Sequence, residues 1–171
     1  MSRLQDLTSA PARDLLGNMA YSKAALAIGT TKSAINTTAA LNYTVNGVMY
    51  TKAAMTSQAL TGYSRDGKQL GNTYVQPANT TVFYTISINA AGTTVAATQG
   101  TYAGQPLTSP AYGGVSAVGD GLVPNAPDGF TPFGVIKVVT GSATFTLGTT
   151  LFDAANLTST FYDVGVLPQS L

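Results

Sequence analysis

The chain has 171 residues and a formal net charge of +1, and only 9% of its residues are charged against 44% that are hydrophobic. It holds no histidine, cysteine or tryptophan, and all seven acidic residues are aspartates: Asp6, Asp14, Asp66, Asp120, Asp128, Asp153 and Asp163. That inventory excludes an imidazole proton shuttle, a thiolate nucleophile, a disulfide framework and the ligands that zinc and other transition metals prefer.

Residues 1–30 differ in pattern from the rest. Thr8 or Ser9 caps an expected helix with Pro11 in its first turn. Leu15, Leu16, Met19, Ala20 and Lys23 continue at helical spacing, and Gly29 is the stop. Gly17 weakens that helix by about 1 kcal/mol relative to alanine. The reading is an N-terminal helical arm, which either docks on a neighbouring subunit or covers one end of its own domain. Residues 31–171 then form one β domain.

From Thr31 the apolar period becomes two. Ile35, Thr37, Ala39, Leu41, Tyr43 and Val45 share one face of an expected strand, and the alternate residues are polar or small. The strand runs into Asn46-Gly47, a type I′ hairpin turn that needs positive φ at both central residues. A two-residue loop sets Val45 against Val48, Tyr43 against Tyr50 and Leu41 against Lys52. Gln58–Thr61 is a short strand, and Arg65-Asp66-Gly67-Lys68 is an exposed polar turn. Thr80–Asn89 is a central strand with Val82, Tyr84, Ile86 and Ile88 inward. Asn89–Gly92 turns it, and Thr93–Gln99 returns with Val95 and Ala97 on the core side.

A Gly/Pro-rich stretch, 100–132, follows. Irregular loops of that length are uncommon in compact domains and are usually functional. It is read as reaching out to grip a neighbour or as wrapping over its own sheet. Phe133–Thr140 is apolar on both faces and reads as a strand buried on both sides. Gly141-Ser142 turns the chain, and Ala143–Leu147 and Thr149–Leu151 are short strands. Asp153–Asn156 is a single helical turn with an Asp cap, and Thr158–Val164 is the last strand. Many short strands set off by Gly, Asn and Pro predict an all-β fold, an antiparallel β-sandwich or barrel, carrying the N-terminal arm.

No catalytic constellation emerges. Asp120 and Asp128 are the nearest thing to an acid/base pair, yet each precedes a glycine as turn residues do. The spacing of a calcium loop is missing. No Gly-x-Ser-x-Gly elbow or phosphate-binding loop occurs. The expectation is a non-enzyme with no cofactor and no metal. The cations Arg3, Arg13, Lys23, Lys32, Lys52, Arg65, Lys68 and Lys137 are scattered, so no nucleic-acid partner is expected. No stretch is long and apolar enough to span a bilayer, and none reads as a signal peptide, so no membrane partner is expected. Near-zero net charge gives little mutual repulsion, which suits a homo-oligomer or a subunit of a larger assembly. Candidate subunit contacts are Leu4, Leu7, Leu15, Leu16 and Met19 from the arm, and Tyr102, Tyr112 and Phe130 from the long loop.

Three blocks carry a family resemblance. The run from Leu41 to Ala54 (Leu-Asn-Tyr-Thr-Val-Asn-Gly-Val-Met-Tyr-Thr-Lys-Ala-Ala), the segment Gly134–Val138, and the pair Ala143–Ala155 and Thr160–Asp163 resemble, in order and spacing, uncharacterised tailed-bacteriophage virion structural proteins. The blocks hold 36 residues, about a fifth of the chain. The segments Gly62–Val75 and Gly100–Pro132 depart from that pattern. The resemblance implies a capsid decoration or cement protein on the virion's capsid surface, with the major capsid protein or other virion proteins as partners. A tail, neck or fibre component, or a surface glycan-binding module, is the alternative.

Overall fold

The computed structural model describes residues 17–65, 67–70, 75–100 and 123–165. The described chain is all-β. Its strands are β1 (Leu26–Ile28), β2 (Ile35–Thr37), β3 (Leu41–Val45), β4 (Val48–Lys52), β5 (Thr61–Tyr63), β6 (Val75–Gln76), β7 (Thr81–Asn89), β8 (Val95–Gln99), β9 (Phe130–Thr140), β10 (Phe145–Thr146) and β11 (Leu157–Asp163). The main sheet has the order β11-β9-β7-β8-β5, and β1-β2, β3-β4 and β10-β6 form two-stranded ribbons. No sheet among the described residues closes into a barrel.

The alternation in β7 explains why it sits at the centre. Val82, Tyr84, Ile86 and Ile88 are all buried. Burial of each aliphatic side chain contributes about 1.5–3 kcal/mol. β8 returns antiparallel, with Ile88 opposite Val95 and Ile86 opposite Ala97. β9 flanks the other side and begins at Phe130, three residues before the expected start. Its register slips at Ile86/Ser87, where Gly134 and Pro132 face consecutive residues and Phe133 is the extra one. This bulge turns Phe133 into the core beside Ile136 and Val138, all with no exposed surface. Phe133 therefore lies with Ile136 and Val138, and not with Val135 and Val139 as unbroken alternation would place it. Past it, Lys137 and Val139 on the opposite face are half-buried, so only one face of β9 is sealed. β5 pairs with β8 in parallel, a departure from the all-antiparallel expectation. Residues 64–94, which include β7, intervene and form the crossover that a parallel pair requires.

The three ribbons pack on the core face of this sheet. A Cβ built on Gly134 would meet Leu26 Cδ2 of β1 at 2.5 Å, so β1 lies directly over β9. Tyr43 of β3 donates its hydroxyl to Asn89 O at the end of β7 (3.0 Å), and Thr131 of β9 donates to Thr44 O. Tyr84 of β7 meets Phe145 of β10 edge-on, at 5.9 Å between centroids. The β3–β4 hairpin has the expected register, with Tyr43 opposite Tyr50 and Leu41 opposite Lys52. Asn46 and Gly47 have φ of 50° and 73°, as a type I′ turn demands.

The N-terminal reading needs correction. Residues 1–16 of the expected helical arm lie outside the described residues, but residues 17–28 contain no helix. Met19–Tyr21 runs beside β3, with Thr44 N donating to Met19 O (2.8 Å) and Tyr21 N to Asn42 O (2.7 Å). Ala20, Ala24 and Leu26 belong to the core. The spacing that suggested a helix is also met by an extended segment that buries alanines against a sheet, because alanine packs in either state. The expected 31–45 strand is split into β2 and β3. Thr38 N and Ala39 N bond to Ala25 O and Ala24 O, which bends the chain between the strands. Near the C-terminus, Thr149–Leu151 and Asp153–Asn156 are turns rather than a strand and a helical turn. Asp153 pairs with Lys32 at 3.5 Å instead of capping.

Candidate interaction surface

One end of the body holds the start of the described chain, the β3–β4 turn and the start of β9. Asn18 holds this end together. Its Oδ1 accepts from Asn46 N at the hairpin turn (2.7 Å), and its Nδ2 donates to Phe130 O at the start of β9 (3.1 Å). Gly47 N donates to Gly17 O (3.1 Å). Gly17, to which the 1–16 segment connects, therefore lies beside the β3–β4 turn, and β9 begins one hydrogen bond away, whereas the long stretch leaves at Gly100 beside Phe83 and comes back past Thr85 at Pro124. The turn itself carries exposed apolar side chains: Val48 is 44% exposed and Met49 68%. Exposed apolar side chains close together mark contact sites more often than singly scattered ones.

Of the expected contact residues, Met19 and Phe130 are described. The structure brings them to this same end through their neighbour Asn18. Met19 is half-buried, and its backbone N–H donates to Thr44 Oγ1 (3.2 Å). Phe130 is half-buried, and its ring lies 5.5 Å from that of Tyr63 on the outer face of the sheet. Leu4, Leu7, Leu15, Leu16, Tyr102 and Tyr112 lie outside the described residues, as does Asp120. Asp128 occupies the turn before β9, where Phe130 N donates to Pro127 O (3.1 Å). Sequence reasoning missed Asn18, whose sequence neighbourhood carries no sign of a bridging role. It also missed the exposure of Val48 and Met49, which the pairing of β4 with β3 alone on this ribbon leaves open.

Asp128, exposed in the turn before β9, brings a charge to this end. Tyr43 is buried behind it and stacks on Tyr50 at 5.7 Å with planes 29° apart. Burial, and secondarily the neighbouring Tyr50, raises the Tyr43 hydroxyl above the ordinary tyrosine range. Elsewhere, among the described residues, no three potential acidic or soft ligands cluster to hold a metal ion. The cleft beside Tyr63, Tyr84, Gln99 and Leu147 offers about 10 Å³, room for about one water molecule. Ser87 Oγ, Thr98 Oγ1 and Ser159 Oγ are buried without a hydrogen-bond partner. No helix among the described residues is long and apolar enough to cross a membrane. No protein-family model, curated protein or solved structure matches the chain.

Proposed function

We propose that this chain is a non-enzymatic structural subunit of a tailed-phage particle, a decoration or cement protein on the outside of the head. The observation that carries this reading is the convergence at Asn18. Gly17, to which the 1–16 segment connects, the first residue of β9 and the Val48–Met49 tip lie together at one end of the β body. An element built to bridge neighbours has its reaching segments on a common side, so that one docking event engages them together and multiplicity adds avidity. The resemblance of the Leu41–Ala54, Gly134–Val138, Ala143–Ala155 and Thr160–Asp163 blocks to virion proteins gives the particle its identity. We infer a two-layer β-sandwich for the body, with the five-stranded sheet as one layer and the three ribbons as the other. Leu26 over Gly134, Tyr43 on Asn89 and Phe145 on Tyr84 are its interlayer ties.

Apolar burial across subunits reinforces a shell at about 25 cal/mol per Å² without any reaction, and the cost of association consumes part of it. The test is a deletion of residues 1–16, which leaves every described residue in place. Expected is a folded protein that no longer binds purified particles, while the full chain binds and is present in hundreds of copies by quantitative mass spectrometry. Undiminished stoichiometric binding by the deletion refutes the shared docking end. A dozen copies or fewer moves the protein to the tail or neck.

A further inference from the structure

We propose that the free edge of β11 is the docking site for a second copy of this chain, pairing strand to strand and antiparallel about a two-fold axis at Thr160. Among the described residues, β11 is the outermost strand of the main sheet, and its backbone ladder is made with β9. Its pairing with β9 runs without a shift from Leu157↔Thr140 to Asp163↔Gly134. The bonds that bound this ladder fix which backbone groups face outward. Val164 N donates to Phe133 O (3.0 Å) and Gly141 N to Asn156 O (2.7 Å). Hydrogen-bonded pairs alternate along an antiparallel ladder. Thr158, Thr160 and Tyr162 therefore spend their backbone groups on β9. Ser159, Phe161 and Asp163 present their N–H and C=O to the open edge, as does the carbonyl of Leu157, whose N–H turns back to Ala154 O (3.2 Å).

Natural edges are blunted by lysine, proline, bulges or a covering segment. β4 ends in Lys52. β5 is short and is covered by its own return, with Leu70 N on Gly62 O (2.9 Å) and Ser64 N on Lys68 O (2.8 Å). Among the described residues, β11 carries no such device along Leu157–Tyr162, and residues 22–26 lie against its far end, where Leu26 N donates to Asp163 Oδ1 (3.0 Å). Its sequence, Leu-Thr-Ser-Thr-Phe-Tyr-Asp, has no proline or lysine and consists mainly of strand-forming residues.

A second copy fits this edge better than a charged partner. With Thr160 opposite Thr160, Ser159 faces Phe161 and Leu157 faces Asp163, so outward donors meet outward acceptors on both sides of the axis. On the outer face, Thr158 lies beside Tyr162, which is 46% exposed. The only charge on the strand, Asp163, falls at the two ends of the seam, roughly 20 Å from its mate at about 3.4 Å per residue. That exceeds the Debye length of about 8 Å at physiological salt. The chain's net charge of +1 adds no strong repulsion. A seam of seven residues is smaller than the roughly 1,200–2,000 Å² of a stable interface. Free chains therefore dimerise weakly, and the dimer grows with concentration. The proposal stands on the strand edge and is independent of the virion reading.

The experiment is sedimentation velocity of the full chain from micromolar to millimolar concentration, beside the variants Ser159→Pro and Thr160→Cys. Expected is a reversible monomer–dimer equilibrium. Ser159→Pro removes an outward donor while sparing the β9 ladder, and it weakens dimerisation about tenfold or more. Thr160→Cys, in a chain with no other cysteine, forms a disulfide-linked dimer on oxidation, because a non-hydrogen-bonded antiparallel pair brings the two Cβ atoms together. Thr158→Cys, which faces Tyr162 in this register, links much more slowly. A monomer at every concentration overturns the proposal. So does a dimer untouched by folded Ser159→Pro, or cross-linking at position 158 as fast as at 160.

Discussion

Gly134→Ala tests how the layers of this molecule meet. Gly134 lies in β9 with ordinary strand backbone, so alanine strains no dihedral, and the lower entropy of its unfolded chain favours folding by about 0.4–1 kcal/mol. The new methyl, however, would sit 2.5 Å from Leu26 Cδ2 and 3.2 Å from Tyr162 O. The first distance is far inside contact, and the second leaves no room to retreat toward β11. Leu26 is buried, and the β1–β2 ribbon that carries it must give. Overpacking of this kind costs about 1–3 kcal/mol, so the expected net loss lies between about 0 and 2.6 kcal/mol. Leu26→Ala alone leaves a cavity and costs about 2–5 kcal/mol. In the double variant the new methyl occupies part of that cavity. The double variant should therefore lose less than the sum of the single losses by about 1–2 kcal/mol, a coupling well above the 0.3–0.5 kcal/mol scatter of independent sites. Urea unfolding followed by tyrosine fluorescence and far-ultraviolet circular dichroism measures each value. Additive losses would mean that Leu26 does not rest on Gly134, and the placement of residues 17–28 inside the body would fall with it.

Tyr43→Phe probes the alkaline limb of stability. The folded-state pKa of this hydroxyl is raised above its ordinary value of about 10, chiefly by burial. A raised acid holds its proton more tightly in the folded state. Its contribution to stability is therefore fully present below the unfolded pKa and is lost as pH rises from there through the folded pKa. Unfolding free energies on either side of pH 10 should fall less steeply in the variant, which also loses about 1 kcal/mol at neutral pH with the bond to Asn89 O. Gln76→Ala removes a side chain with no exposed surface whose Nε2 donates to Thr80 O (3.2 Å) and Val138 O (3.1 Å), and whose Oε1 accepts from Tyr84 (3.2 Å). Expected is a loss of about 3–5 kcal/mol from unmade bonds and a cavity. A loss below about 1 kcal/mol in the same urea assay would show that water replaces the amide.

The parts of the fold that were readable in the sequence are those where a local rule and the tertiary context agree. The β3–β4 hairpin follows from Asn46-Gly47 because no side chain except one tolerant of positive φ fits both turn positions. The β7–β8 pair follows from strict alternation and the Asn89–Gly92 turn, closed by Gly92 N on Asn89 O (3.0 Å). What stayed hidden was set by partners distant in sequence. Residues 17–28 are extended because β3 and the sheet offer Ala20, Ala24 and Leu26 a place to be buried, and alanine has no preference strong enough to refuse it. The Phe133 bulge was invisible because it is fixed by the register against β7. The parallel β5–β8 pairing is a matter of topology. As for the interaction surface, Met19 and Phe130 were found by their apolar character, whereas Asn18, which joins them, is an unremarkable amide until its partners are in place.

The same structure explains how a chain this poor in charge holds its strands and connections in place. The ion pair seen among the described residues, Lys32–Asp153, is half-exposed and weak in water. The directional ties are instead hydroxyl-to-backbone bonds made by threonines that are buried. Thr131 reaches across the layers to Thr44 O. Thr85 reaches Pro124 O (2.6 Å) at the return of the long stretch. Thr140 donates to Pro77 O (2.7 Å), and its Oγ1 accepts from Thr80 N (3.0 Å). Each such bond nets only about 0.5–1.5 kcal/mol, but leaving the carbonyl unmet inside the protein costs about 1–3 kcal/mol. Mispacked arrangements are thus penalised more than the native one is rewarded. Threonine suits this role because its β-branch also favours the strand that carries it. Sheet propensity and a directional tie then come from one side chain.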